Sequence, residues 1–127
     1  GESVKMSKSK HNTVDPDDMV KKFETAKNIK GFRFIHYLCV CPTGWKSDSR
    51  YAVKLARLAV ETKVFPLFEV FSGEKYKITY TPKGLPVNEY LKLQGRFAHL
   101  NEDQIKLIQQ EVDKNWEKLL KKASNSN

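Results

Sequence analysis

The fold is decided by residues 32–63, which read FRFIHYLCVCPTGWKSDSRYAVKLARLAVETK. The first part, residues 32–40, is rich in aromatic and β-branched residues and partly alternates, which predicts a strand with at least one buried face. Residues 42–45, PTGW, then predict a turn. Residues 48–63 place apolar side chains densely enough for a well-buried helix. This stretch therefore predicts a strand, a turn and a helix in succession.

Downstream, the sequence predicts a hairpin followed by two helices. Residues 65–71 and 75–81 read as strands, because alternating apolar positions flank the turn residues Ser-Gly-Glu. A helix over residues 86–95 begins at a proline and ends at a glycine. A longer helix over residues 101–122 has an asparagine cap, acidic residues in its first turn and lysines in its last, which is the charge order favoured by the helix dipole.

Upstream, the sequence Asp-Pro-Asp-Asp opens a predicted helix over residues 15–30, which Gly31 ends. Residues 1–14 contain lysines among small polar residues and no apolar period, which predicts a flexible basic arm. The fold class is therefore α/β, with residues 15–127 in a single domain. Its small mixed sheet contains strands 32–40, 65–71 and 75–81, the first two joined by a right-handed crossover if they pair in parallel, and is covered by helices 15–30, 48–63, 86–95 and 101–122.

Composition limits the function classes. With 127 residues, 39% of them hydrophobic and 30% charged, the chain has the size and apolar content of one soluble globular domain. No apolar run is long enough to cross a bilayer and the first residues lack a hydrophobic signal core, so we expect a cytoplasmic protein without a membrane partner. The net charge of +8 favours nucleic acid, an acidic membrane surface or an acidic protein, and composition does not choose among them.

The two cysteines are the first candidates for chemistry. Cys39 and Cys41 are separated by one residue, so on a strand both side chains would leave the same face. A disulfide between them would close a strained, tiny ring, and two thiols are too few for a structural zinc site. Two interpretations remain open: buried or idle thiols, or one thiol that completes a site whose other ligands lie elsewhere.

Other candidate residues have a structural and a functional interpretation. His36 is either a packed histidine or a catalyst, whereas Asp48 fits a helix cap better than chemistry. Residues 96–99, RFAH, form either a helix-to-helix connection or a subunit contact. Lysines and tyrosines interleave over residues 75–80, as in any half-exposed hairpin or in a stacking surface for single-stranded nucleic acid. Spacing alone identifies no catalytic residue.

The first residues carry a short family resemblance. Residues 5–9 are KMSKS, followed by KHNTVDPDDMVKKF, and about residues 1–23 resemble the KMSKS loop of a leucyl-tRNA synthetase with the helix after it. The resemblance implies that Lys8 helps to hold ATP phosphates, since cations stabilise transferring phosphoryl groups. The chain departs from that family at residues 24–26, and the partner HIGH motif is missing, so we expect no adenylation by this chain.

The rest of the chain resembles a different family. GFRFIHYLCVCPTGW, RLAVETKVFPLFEV and PVNEYLKLQGRFAHL occur in family order, and about residues 24–127 resemble the C-terminal part of the β subunit of pyruvate:ferredoxin oxidoreductase, or pyruvate synthase. This family uses thiamine diphosphate with magnesium and iron–sulfur clusters to convert a 2-oxoacid into an acyl-CoA while reducing ferredoxin. The resemblance implies that Cys41 is the last cysteine ligand of the cluster nearest the thiamine cofactor. Cys39 stands where a small residue is common in the family and adds no obvious ligand.

The function predicted from this resemblance is that of a subunit fragment. The fragment would contribute Cys41 and packing surface to a larger enzyme, with other oxidoreductase parts and subunits as partners and ferredoxin as an indirect one. In isolation we expect no cofactor, no activity and a possible homodimer. Two alternatives stay open: an engineered or recombinant chimera without natural activity, joined at VDPDDMVKKF, and a synthetase-derived fragment that binds tRNA or ATP.

Overall fold

A computed structural model describes residues 16–125 of the chain. The predicted basic arm, residues 1–14, lies outside the described residues. Helices and one small sheet make up the described part, which confirms the mixed α/β class. In chain order the elements are α1 (Pro16–Asn28), α2 (Pro42–Trp45), a 3-10 turn (Ser49–Tyr51), α3 (Ala52–Glu61), β1 (Phe68–Phe71), β2 (Lys75–Ile78), α4 (Asn88–Leu91), a second 3-10 turn (Gly95–Phe97) and α5 (Glu102–Ser124).

The predicted hairpin is confirmed, with shorter strands than expected. β1 and β2 pair antiparallel, from Phe68 opposite Ile78 to Phe71 opposite Lys75. The turn places Ser72 and Gly73 at φ values of 54° and 75°, as a tight hairpin turn requires. The first strand starts late because the Phe65 N–H is donated to the Ala59 carbonyl at 2.8 Å, which holds residue 65 against the end of α3.

The prediction of a strand over residues 32–40 was wrong. This stretch, which we call the aromatic segment, has no regular secondary structure, and none of its backbone groups bonds to another backbone group in the described part of the chain. The sheet formed by residues 16–125 therefore has two strands, without the parallel pair and crossover that were expected. The physical reason is position: Leu38 and Val40 pack against the helical core instead of running beside β1.

The core lies between α3, α4 and α5. Its buried members come from α3 and from the chain around α4: Leu55, Leu58, Ala59, Val87, Tyr90 and Leu91. From α5, Ile105, Ile108 and Val112 pack against this cluster at the three- and four-residue spacings of one helix face. Burial of apolar surface between these three helices is thus the main stabilising contribution of the described fold.

Polar contacts lock the same elements together. The Val87 N–H donates to Gln109 Oε1 at 2.7 Å and so links the start of α4 to α5. Lys63 Nζ and Asp113 Oδ1 are 3.2 Å apart, which joins the end of α3 to α5. The buried Glu61 carboxylate accepts the Tyr80 hydroxyl at 2.7 Å and the Lys83 N–H at 2.8 Å, and thereby fixes the chain that leaves β2.

The helix boundaries correct the predicted ranges. The predicted helix 15–30 ends at Asn28, and the predicted helix 48–63 divides into a 3-10 turn and α3, which stops at Glu61. The predicted helix 86–95 is helical only over the four residues of α4, and a separate 3-10 turn begins at Gly95. The last helix extends to Ser124 and begins with the predicted Asn101 cap, which forms a capping box with Gln104. Among residues 16–125, no helix is long and apolar enough to span a membrane.

Candidate functional site

Cys41 lies at the surface, at the point where the aromatic segment turns into α2. Its backbone is extended, with φ −110° and ψ 95°, and it is the N-cap of α2. The Sγ atom accepts the Gly44 N–H at 3.4 Å, and the residue is exposed. The sequence CPTGW thus presents a thiol to solvent while directing one backbone N–H at the sulfur.

Gly44 leaves room for this close approach. A Cβ atom at position 44 would lie 3.2 Å from the Cys41 sulfur, which is tighter than ordinary contacts. A side chain there would push the sulfur away from the N–H that it accepts. The glycine of CPTGW is therefore explained by the space around the thiol.

A second segment of the chain holds the Cys41 loop from the side. The Gly95 N–H donates to the Lys46 carbonyl at 3.0 Å, and Lys46 has the left-handed conformation with φ 51°. A Cβ atom at position 95 would lie 2.8 Å from that same carbonyl oxygen. Only glycine allows the two backbones to approach so closely, so the QGRF sequence of residues 94–97 positions CPTGW.

Side chains from the same segment clamp Trp45. The Arg96 guanidinium lies over the Trp45 ring, 4.2 Å from its centroid, and the Tyr90 ring meets the indole edge-on at 6.2 Å. Arg96 is oriented by Gln94, whose Oε1 accepts the Arg96 Nε–H at 2.9 Å. Gln94 is 2% exposed and donates to the Tyr90 carbonyl at 2.8 Å. The loop next to Cys41 is therefore held by an aromatic and cationic stack.

Sequence reasoning missed these clamping residues. It treated residues 96–99 as a connection or a subunit contact, and the structure shows that Arg96 packs within its own chain. The only local signal was a glycine followed by an arginine and an aromatic residue. The partner of that signal, Trp45, lies about fifty positions away in the sequence, where a local pattern cannot reveal it.

Cys39 and Cys41 are both free and exposed, so burial of the two thiols was wrong, whereas their interpretation as idle thiols is not contradicted. Within residues 16–125, no three or more His, Cys, Asp or Glu side chains are arranged to hold a metal ion. Idle thiols, and one thiol that completes a site with ligands from elsewhere, are both compatible with this geometry. Lys8, the predicted ATP-phosphate contact, lies outside the described residues.

The remaining candidate residues make contacts that are explained by packing or helix capping. The His36 ring packs edge-on against the Phe65 ring at 5.1 Å. Asp48 caps the first 3-10 turn by accepting the Arg50 N–H at 2.9 Å, and the hydrogen bond from the Arg50 side chain lowers the pKa of the Asp48 carboxyl. In the hairpin, the Tyr76 ring stacks on Phe68 with centroids 6.2 Å apart. A ring engaged in this way within the chain is less available for stacking on a base.

Comparison with curated proteins identifies relatives that align with most of the chain. The ketoisovalerate oxidoreductase subunit VorB of Pyrococcus furiosus is 43% identical over 111 residues, covering 85% of this chain and 35% of the relative. The pyruvate synthase subunit PorB of Methanocaldococcus jannaschii is 44% identical over 99 residues, covering 77% and 33%. PorB of Pyrococcus furiosus is 38% identical over 125 residues, covering 83% and 38%. No known protein-family profile matches the chain.

The chain is a homologue of ketoisovalerate oxidoreductase and pyruvate synthase subunits. This confirms the resemblance predicted for most of the sequence, and it adds ketoisovalerate oxidoreductase to the expected pyruvate synthase. The chain spans about a third of the length of the curated relatives it matches. These relatives give no support to the synthetase-like segment at residues 1–23 or to a chimera.

Proposed function

We propose that this chain is part of a 2-oxoacid:ferredoxin oxidoreductase subunit, in which Cys41 is one thiolate ligand of an iron–sulfur cluster and the fold supplies packing surface. The single observation that carries the proposal is the exposed Cys41 sulfur on a loop held by its own chain, in a sequence 43% and 44% identical to subunits of such enzymes. Alone, the chain is not catalytic.

The residues around Cys41 fit one ligand of such a cluster. Thiolates hold iron–sulfur clusters, four for each four-iron cluster, and N–H donors to the sulfurs tune the reduction potential. When bound, the cluster takes up and passes on single electrons. The chain's own part is to present the thiol to solvent, to donate the Gly44 N–H to Sγ, and to keep the loop in place through the Arg96–Trp45 stack. The other thiolates come from polypeptide outside the described residues.

The cofactor and substrate follow from the same proposal. We place the thiamine diphosphate and magnesium site in the part of the subunit that this chain does not cover, which is about two-thirds of its relatives' length. Identity to a ketoisovalerate oxidoreductase subunit and to a pyruvate synthase subunit is almost equal, at 43% and 44%. The proposed substrate class is therefore a 2-oxoacid, with ferredoxin as the electron acceptor of the whole enzyme.

The test compares the two cysteines of the chain. The chain is produced without oxygen together with the uncovered part of a PorB subunit, and iron, sulfide and visible absorbance are measured for each complex. Cys41→Ser should reduce the cluster content, because a serine oxygen is a poor substitute for a thiolate. Cys39→Ser is the matched control, since Cys39 is also exposed and lies two positions away, and it should leave the content unchanged. Equal iron content in both variants would remove Cys41 from the ligand set.

A further inference from the structure

The Arg96 guanidinium is a positive charge that has no acidic partner in the described part of the chain. Its Nε–H donates to a neutral amide, Gln94 Oε1, at 2.9 Å. It lies over the rings of Trp45 and Phe97, with 4.2 and 4.6 Å between the guanidinium carbon and the two ring centroids. The salt bridges formed among residues 16–125 do not include Arg96. Because an arginine cannot be deprotonated in proteins, the chain holds here a fixed cation without a counter-charge.

The neighbouring polar groups do not neutralise this charge. Burial raises the pKa of the Tyr90 hydroxyl above its ordinary value, although the charge of Arg96 opposes this, so the hydroxyl is uncharged at neutral pH. Gln94 is buried and donates its amide nitrogen to the Tyr90 carbonyl at 2.8 Å, which turns its oxygen towards Arg96. A half-buried charge without a counter-charge costs free energy. Since an apolar side chain could cover Trp45 without that cost, packing alone does not explain the charge.

The charge is fixed beside the exposed Cys41 thiol. The Trp45 N–H donates to the Cys41 carbonyl at 2.9 Å, so the ring that Arg96 covers belongs to the same short helix, α2, that Cys41 caps. The Gly95 N–H, one residue before Arg96, donates to the Lys46 carbonyl at 3.0 Å. These two backbone hydrogen bonds and the stack on the indole ring hold the guanidinium and the Cys41 loop in one arrangement.

We propose that the positive charge of Arg96, beyond its packing, stabilises the reduced form of the iron–sulfur cluster bound by Cys41 and thereby raises its reduction potential. This inference rests on the proposed function. Net charge is one of the factors that set the potential of such clusters. Thiolate ligands bring negative charge to the cluster and reduction adds more, so a nearby cation favours the reduced form over the oxidised form. Arg96 contacts the loop that carries the ligand, which makes it a positioning residue and not a catalytic one.

The reduction potential measures the effect of this charge directly. The chain is assembled without oxygen with the uncovered part of a PorB subunit, and visible absorbance is followed during redox titrations of the parent, Arg96→Gln and Arg96→Lys. Arg96→Gln removes the charge and should change the reduction equilibrium by about threefold or more, which lowers the potential by about 28 mV or more. Arg96→Lys keeps the charge and should show less than half of that shift. Equal shifts in both variants, or no shift in Arg96→Gln, would overturn the proposal.

The melting temperature of the free chain separates charge from packing. Neither lysine nor glutamine reproduces the planar guanidinium over the indole ring, so both substitutions should lower the melting temperature by a similar amount, about 4 °C. If Arg96 only packed the loop, the potential would follow the melting temperature and fall equally in both variants. The proposal instead predicts a potential that follows the charge.

Lys54→Gln is the matched control for the loss of a positive charge. Lys54 also lies over an aromatic ring, that of Tyr51, with Nζ 5.7 Å from the centroid, and it takes part in no salt bridge among residues 16–125. It belongs to α3 and not to the Cys41 loop, so its substitution should leave the potential unchanged. A shift as large as that of Arg96→Gln would overturn the proposal, because it would assign the effect to the net charge of the chain.

Iron content distinguishes this inference from the proposed function. A parent complex without iron, or unchanged iron in Cys41→Ser, refutes the proposed ligand and with it this inference. Iron that depends on Cys41, with a potential that does not depend on the charge at position 96, refutes the inference alone. If Arg96→Gln loses iron and Arg96→Lys keeps it, the charge also helps to hold the cluster, which supports the inference. Loss of iron in both variants contradicts it, because the planar packing would then be the feature that matters.

Discussion

The aromatic segment and α3 are both strongly apolar in sequence, and the fold treats them in opposite ways. Leu55 and Ala59 in α3 are 0% exposed, whereas Phe32 and Phe34 in the segment are 90% and 76% exposed. The difference teaches where the stability of this chain resides. The helical core forms from local and nearby elements and takes in Leu38 and Val40 at the end of the segment. The largely exposed rings of Phe32 and Phe34 at its start bury little apolar surface and therefore contribute little to the stability of the free chain.

The largest effect on stability is expected from a substitution in the helical core. Leu55→Ala removes a side chain with no exposure and should lower the free energy of unfolding by about 2–5 kcal/mol, from lost burial and the cavity left behind. Val53→Ala in the same helix is the control, because Val53 is 47% exposed, and it should change stability by at most about 0.5 kcal/mol. Urea unfolding followed by circular dichroism measures both. Similar losses in the two variants would show that α3 is not packed as described.

The next largest effect concerns the Cys41 loop, which joins the aromatic segment to α3 and is contacted by Gly95. Gly95→Ala places a Cβ atom 2.8 Å from the Lys46 carbonyl oxygen and should cost about 1–3 kcal/mol, as overpacking usually does. Ser49→Ala is the matched control, since Ser49 is exposed and begins the other 3-10 turn. Thermal melts of both variants give the measurement. A neutral Gly95→Ala would mean that the QGRF segment does not hold the Cys41 loop.

Local sequence signals correctly predicted the hairpin and the start of α5. They failed where a segment contacts a part of the chain that is distant in sequence. The turn residues between β1 and β2 predicted the hairpin, and the Asn101 cap predicted the start of α5, because both signals act over a few residues. The strand pattern of residues 32–40 predicted a strand that the described structure does not form, because such a pattern carries no information on which strand lies beside it.

The candidate site was likewise predicted only in part from the sequence. The resemblance singled out Cys41, but the Gly95–Lys46 contact and the Arg96–Trp45 stack join segments about fifty residues apart and were not foreseen. Local spacing describes helix faces and turns, whereas a clamp of this kind depends on how two loops meet after folding.

A smaller effect tests how the hairpin is tied to α3. Tyr80→Phe deletes the hydroxyl that donates to Glu61 at 2.7 Å and should lower the free energy of unfolding by about 0.5–1 kcal/mol, at the low end because Tyr80 is 40% exposed. Tyr51→Phe is the control, since the described contacts give its hydroxyl no hydrogen-bond partner within residues 16–125. Equal stability of Tyr80→Phe and the parent chain would show that the bond is not formed in solution.

The same pair predicts a pH dependence. The hydrogen bond to the Glu61 carboxylate, and then burial, raise the pKa of Tyr80 above its ordinary value. The folded chain therefore holds the phenolic proton more tightly than the unfolded chain. This contribution is complete below about pH 10, the ordinary tyrosine pKa, and is lost as the pH rises through the raised value. The stability difference between the parent and Tyr80→Phe should shrink above about pH 10. A difference that stays constant or grows there would contradict the assignment.

The smallest expected effect tests whether the aromatic segment is less tightly packed than α3. Phe34→Ala should change the free energy of unfolding of the free chain by at most about 0.5 kcal/mol, because a side chain that is 76% exposed loses little burial on truncation. Phe65→Ala is the matched control: Phe65 packs on the core and meets the His36 ring at 5.1 Å, so its loss should cost more than that of Phe34. If the two phenylalanines cost the same in urea unfolding, the segment is packed within its own chain. If only Phe65 matters, the aromatic surface of residues 32–40 does not stabilise the free chain, and its selection must be sought in what it binds.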